Sequence, residues 1–111
     1  MDNFETTILI SSDTSKSDLT SINNAFEKLI TSQEGSIVNK EDWGLRDLAY
    51  KIKAFKKAFY FFYQINIEGQ KIQDLKKNIF QNDKIIRCLF IKVKTHAELP
   101  TKILMASANE R

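Results

Sequence analysis

Between Lys40 and Lys57 the chain carries six basic residues (Lys40, Arg46, Lys51, Lys53, Lys56, Lys57) against three acidic ones (Glu41, Asp42, Asp47). Immediately after them runs Ala58-Phe59-Tyr60-Phe61-Phe62-Tyr63-Gln64-Ile65, an unusually aromatic stretch. Cations beside aromatic faces suit a nucleic acid, because ammonium and guanidinium groups meet phosphates while flat rings meet bases. The local surplus of three equals the formal net charge of the whole chain, +3.

The charge is unevenly spread. Residues 1–34 hold two lysines against six acids, a net of −4, and residues 35–111 hold fifteen basic residues against eight acids, a net of +7. A polyanion is drawn to the second part and held away from the first. Catalytic chemistry finds little to work with. One cysteine, Cys88, and one histidine, His96, make neither a disulfide nor a zinc site. The loop from Ser11 to Lys16 lacks the glycine and arginine that an acylphosphatase-like anion cradle needs, so a small hydrolase is rejected. Cys88 reads as a small buried hydrophobe and His96 as a surface residue. The start of the chain lacks the order of a signal peptide and no apolar run approaches membrane-spanning length, so a soluble, cytoplasmic protein is expected, without a small-molecule substrate or cofactor.

The elements that position these residues follow from periodicity. Phe4, Thr6, Ile8 and Ile10 fall on one face of a first strand. Ser15, with Asp18 three residues on, opens a helix whose apolar stripe is Leu19, Ile22, Phe26, Leu29 and Ile30. Gly35 stands where a left-handed helix cap belongs. A second strand runs from Ser36 to about Ile52, interrupted at Trp43-Gly44, where Trp43 reads as a packing residue at a strand irregularity. Phe59 to Ile67 makes a third strand. Ile72, Leu75, Ile79 and Phe80 mark a second helix ended by Asn82-Asp83, and Ile85 to Val93 makes the last strand.

This order predicts an α+β fold of the ferredoxin-like split βαβ kind (βαββαβ): a four-stranded antiparallel sheet with both helices on one face. Right-handed crossovers place the first and third strands in the middle. The domain spans 1–94, followed by a loosely held tail, 95–111. On the third strand Phe59, Phe61, Tyr63, Ile65 and Ile67 point toward the helices. Tyr60 and Phe62, with Phe4 or Leu9 of the first strand, then lie on or near the open face, an exposed aromatic patch fit for a protein partner.

Gly44-Leu45-Arg46, Leu48-Ala49-Tyr50 and Ile52 resemble the signature of the bacterial small-ribosomal-subunit protein six family. Phe4-Glu5, the Ala58-Phe59-Tyr60 strand through Tyr63, and Asn82-Asp83 before Ile86-Arg87 fit the same pattern over roughly residues 1–94. Lys51 stands where many members have proline, which loosens the hairpin. The acidic tail of some members is missing, since residues 95–111 carry only Glu98 and Glu110 as acids. The resemblance implies a non-catalytic ribosomal protein. It would bind the central domain of 16S ribosomal RNA together with small-subunit ribosomal protein eighteen. Phosphate contacts are expected from Arg46, Lys51, Lys53, Lys56, Lys57, Arg87 and Lys92, with Lys94 nearby, and partner contacts from Phe4, Tyr60 and Phe62.

Two plainer readings stand beside these: the hairpin lysines as guards of a strand edge, and Arg87 as the partner of an acid on a neighbouring element. A free-standing binder of single-stranded RNA is the rival function. It is weakened because Tyr60 occupies a position that the RNA-recognition motif gives to a small residue, and Gln64 replaces its final aromatic.

Overall fold

The computed structural model describes residues 1–52 and 54–96, with the backbone alone at 49–51. Its elements are β1 (Asp2–Ser11), α1 (Lys16–Ser32), β2 (Ser36–Ile52), β3 (Phe55–Ile67), α2 (Ile72–Ile79, entered through a 3₁₀ turn at Gly69–Lys71) and β4 (Ile85–Val93). The sheet order is β2-β3-β1-β4, antiparallel throughout, so the first and third strands are central, as the crossover rule requires. This is the ferredoxin-like split βαβ fold.

The core lies between the sheet and the helices. Phe4, Ile8 and Ile10 of β1 meet Ile22, Phe26 and Ile30 of α1, Tyr63, Ile65 and Ile67 of β3, and Leu75 and Ile79 of α2. Phe4 therefore faces the helices, only 7% exposed, and is corrected as an open-face residue. The reason is parity: it sits two and four residues from Thr6 and Ile8, which are fully buried on that face. Leu9, of opposite parity, lies on the other face.

The helix ends show what the sequence hid. Ser15 caps α1, its hydroxyl accepting from the Asp18 amide at 3.2 Å. At the other end Gly35 N–H donates to Ile30 C=O and Glu34 N–H to Thr31 C=O, the paired bonds of a Schellman motif. The left-handed residue is Glu34 (φ 64°), not Gly35. Gly35 is needed for space, because a Cβ there would sit 2.9 Å from both the Asn66 carbonyl oxygen and Ile30 Cγ2. The helix α2 stops at Ile79, and Phe80, expected in its apolar stripe, is 46% exposed just past the end. His96, expected at the surface, is tucked in: its side chain is 14% exposed and Nδ1 lies 3.7 Å from Glu5 Oε2.

The strand β3 begins at Phe55, four residues earlier than its pattern suggested. β1 covers β3 only from Ala58 to Ile67, whereas β2 stays paired with it out to Ile52↔Phe55. The segment from Asp47 to Lys57 is thus a two-stranded arm projecting past the sheet. Ala54, at its tip, has φ 70°. No helix among the described residues is long and apolar enough to cross a membrane.

Candidate nucleic-acid interface

The arm does not extend freely into solvent. Leu48, Ile52 and Phe55 pack against Leu9, Ala58 and Ile86, a second apolar cluster on the sheet face away from the helices. Burying that side of the arm turns its charged residues outward. Lys56 and Lys57 are exposed. Lys57 lies 3.8 Å from Asp47 across the arm, an ion pair with both partners more than half exposed and therefore weak. Arg46 stands at the root of the arm, its Nε donating to the Trp43 carbonyl oxygen at 2.9 Å. The side chain of Lys51 and all of Lys53 lie outside the described residues.

The remaining expected phosphate contacts divide. In the register of the sheet Leu9 pairs with Tyr60 on one side and Arg87 on the other, so Arg87 stands at the arm end of the sheet. Among the described residues no carboxylate forms an ion pair with it. Lys92 pairs in register with Phe4. At about 3.4 Å per residue that puts it some 17 Å along the strand from Arg87. It also lies 3.4 Å from Asp2, so the structure does not bring it to the arm.

The open face changes character along its length. Near Lys92 it is polar: Asn39 Nδ2 donates to Gln64 Oε1 at 3.3 Å and Gln64 Nε2 to Glu5 Oε2 at 3.0 Å. In the middle it is aromatic. The register of β2 shifts between Asp42 and Gly44, where Gly44 has φ 76° and its amide donates to Asp42 Oδ1 at 2.8 Å. The bulged residue, Trp43, reaches over Phe62 and Tyr60, with ring centroids at 5.1 and 6.4 Å. Phe62 is consequently only 6% exposed, and Tyr60 half-buried. The exposed aromatic patch expected at Tyr60 and Phe62 is in this way largely covered from within the chain, and Trp43 is the packing residue its position suggested. The exposed apolar residues of this face lie on β4 instead, Leu89 (44%) and Ile91 (59%).

At the arm end the face opens into a cavity of about 220 Å³, lined by Leu9, Leu48, Ile52, Tyr60, Arg87 and Leu89, with Thr7. A groove on the helix side, about 420 Å³ between α1 and β2, is lined by Glu27, Glu41 and Asp42 as well as Lys16 and Lys40. Its carboxylates make it the poorer host for a polyanion. Among the described residues no cluster of His, Cys, Asp or Glu has the makings of a metal site. Leu48, Ile52 and Phe55 escaped sequence reasoning as arm-packing residues. Their signal was faint: apolar residues interspersed among lysines.

A split βαβ sheet bearing a basic two-stranded arm presents a surface suited to a polyanion. The family model for ribosomal protein S6 matches residues 3–92. Small ribosomal subunit protein bS6 of Rickettsia felis is 38% identical over 107 residues, covering 96% of this chain and 88% of its own. The protein of the same name from Pelagibacter ubique is 37% identical over 94 residues, covering 85% and 78%. The crystal structure of 30S ribosomal protein S6 from Thermotoga maritima shares the fold, with a TM-score of 0.79 at 21% identity, covering 98% of this chain and 94% of that one. The chain belongs to the ribosomal protein S6 family of the small ribosomal subunit, and is a cytoplasmic, ribosome-located protein.

Proposed function

We propose that this protein binds the central domain of 16S ribosomal RNA, jointly with small-subunit ribosomal protein eighteen, as a structural and non-catalytic component of subunit assembly. The observation that carries the reading is the arm: a basic two-stranded projection, anchored by its apolar side and charged on the other. Arg46, Lys56 and Lys57, with Lys51 and Lys53 close to them in sequence, supply phosphate contacts, which fix register and orientation with little base reading. The Lys57–Asp47 pair gives way to a phosphate at small cost, because both groups are already hydrated. Arg87 adds to this surface and Lys92 forms a separate, distant contact. The protein partner meets the open face on β4 beyond the cavity, where Ile91 is exposed on a strand whose outer edge is unpaired within the sheet.

The test is a gel shift with central-domain RNA, with and without the eighteenth protein, at two salt concentrations. Replacing Lys53, Lys56 and Lys57 together by Glu should weaken binding more than tenfold and flatten the salt dependence by about one power of salt concentration per lysine. Circular dichroism should show the variant folded. Unchanged RNA affinity would move the RNA surface elsewhere.

A further inference from the structure

The cavity at the arm end of the open face has a composition that the phosphate-binding arm does not account for. Its base is the cross-strand row Tyr60–Leu9–Arg87, three neighbours in register on β3, β1 and β4. With strands about 4.8 Å apart, the outer two are about 10 Å from one another at the backbone. Leu48 and Ile52 line it from the arm and Leu89 from β4. Among the described residues of the lining, Arg87 is the only ionisable group apart from the Tyr60 phenol. The described lining thus combines an aromatic residue, aliphatic side chains and a cation, at the root of the most basic part of the molecule.

An aliphatic side chain of a protein would use the aliphatic walls and gain nothing from the cation. A nucleotide has both halves of the match, a flat ring for the apolar slot and an anionic phosphate for the guanidinium. The volume, about 220 Å³, accommodates a base. Continuity with the arm supplies the strand: Leu48 and Ile52 belong to the same two-stranded element as Arg46, Lys56 and Lys57. We propose that this cavity takes one unstacked nucleotide of the bound RNA, its base against Tyr60, Leu48 and Leu89 and its phosphate at Arg87. This rests on the RNA-binding reading above and deepens it. It also moves Tyr60 from the protein-partner surface to the RNA surface.

Two variants carry the test, Arg87→Gln at an exposed position and Tyr60→Leu, which keeps an apolar wall and removes the ring. Each should reduce affinity for central-domain RNA about tenfold, while affinity for the eighteenth protein alone stays unchanged. In ¹⁵N NMR titrations of the wild-type protein, adenosine or uridine monophosphate should shift the amides of Leu9, Tyr60 and Leu89. Inorganic phosphate at equal concentration should not, and Arg87→Gln should abolish the response. If wild-type RNA binding is intact but neither variant weakens it and neither nucleotide shifts these amides, the cavity assignment is wrong and the arm reading survives. Loss of affinity for the eighteenth protein instead would show that the cavity seats a protein side chain. If the wild-type protein does not bind the RNA at all, the broader reading has failed.

Discussion

The indole of Trp43 lies flat over the ring of Phe62, centroids 5.1 Å apart and planes only 12° from parallel. The contact joins an edge strand to its central neighbour across the face that carries no helix. It converts what would be an exposed aromatic patch into a small packed layer, and its origin is the single extra residue that the bulge inserts into β2. Trp43 is also the chain's one tryptophan.

Removing the indole should therefore uncover Phe62 while leaving the helix-side core intact. Trp43→Ala is expected to cost about 2 kcal/mol, less than a fully buried tryptophan because Trp43 is half-buried. Trp43→Phe, which preserves a stacked ring, should cost less than half as much. Urea unfolding followed by circular dichroism measures both. Equal losses for the two variants would mean that stacking on Phe62 contributes nothing specific.

The end of α1 makes a second prediction, in which two adjacent residues respond in opposite directions. Glu34 holds a left-handed conformation that costs a side-chain-bearing residue about 1 kcal/mol. Its 3.9 Å ion pair with Lys71 is 85% exposed on the Glu34 side and returns little. Glu34→Gly should stabilise the protein by about 0.5–1 kcal/mol. Gly35→Ala should destabilise it by about 1–3 kcal/mol, because the new methyl group would crowd a backbone carbonyl and a buried isoleucine. Thermal denaturation distinguishes this from the arrangement the sequence suggested, in which Gly35 is the left-handed residue and Glu34→Gly gains nothing.

Cys88 faces the helices opposite Ile8, and burial pushes its thiol up to about 12. The native protein should resist alkylation at pH 8 by at least a thousandfold relative to the denatured chain, since reaction requires opening of β4. The unfolded thiol ionises from about pH 8.5. The folded thiol holds its proton longer, so its contribution to stability is complete below pH 8.5 and lost as pH rises toward 12. Cys88→Ala should remove that alkaline loss while lowering stability at neutral pH through the cavity it leaves. Fast labelling of native protein would place the thiol at the surface and refute this account.

What the sequence revealed and what it hid separate along one physical line. Features carried by strict periodicity were legible: the four strands and two helices, the inward face of β3, and the helix-facing set Thr6, Ile8 and Ile10. The same parity placed Phe4 among them, and treating it as an open-face residue went against the period-two pattern of its own strand. Features that depend on breaking the period were legible only in part. The irregularity at Trp43 could be read, but not that its bulge sends the indole over Phe62 and Tyr60, which alternation alone would leave exposed. The shift between Asp47 and Ile52 bends the arm so that Leu48, Ile52 and Phe55 reach Leu9. The basic arm itself was legible from composition. Which cations gather there was not, because Arg87 arrives by strand register and Lys92 is carried away by the same register.

The contact between Asp2 and Gly69 gives a prediction at acid pH. Asp2 Oδ2, at the start of β1, accepts a hydrogen bond from the Gly69 amide at 2.9 Å, fixing the turn that leads into α2 across 67 residues of sequence. That hydrogen bond holds the Asp2 carboxyl below its ordinary value, with Lys92 and the N-terminal ammonium assisting and partial desolvation opposing. A depressed folded pKa means that the unfolded chain binds the proton first as pH falls. The stabilising contribution is therefore complete above the ordinary aspartate range, about pH 4, and is lost as pH drops through the lowered folded value. Asp2→Asn keeps an acceptor for Gly69 but has no charge to lose. Its stability should be lower than wild type at pH 7, and the gap should close as pH falls below 4. Urea midpoints measured from pH 7 to pH 2 decide the matter: a gap that stays constant would mean the Asp2 charge plays no part in holding β1 to the entry of α2.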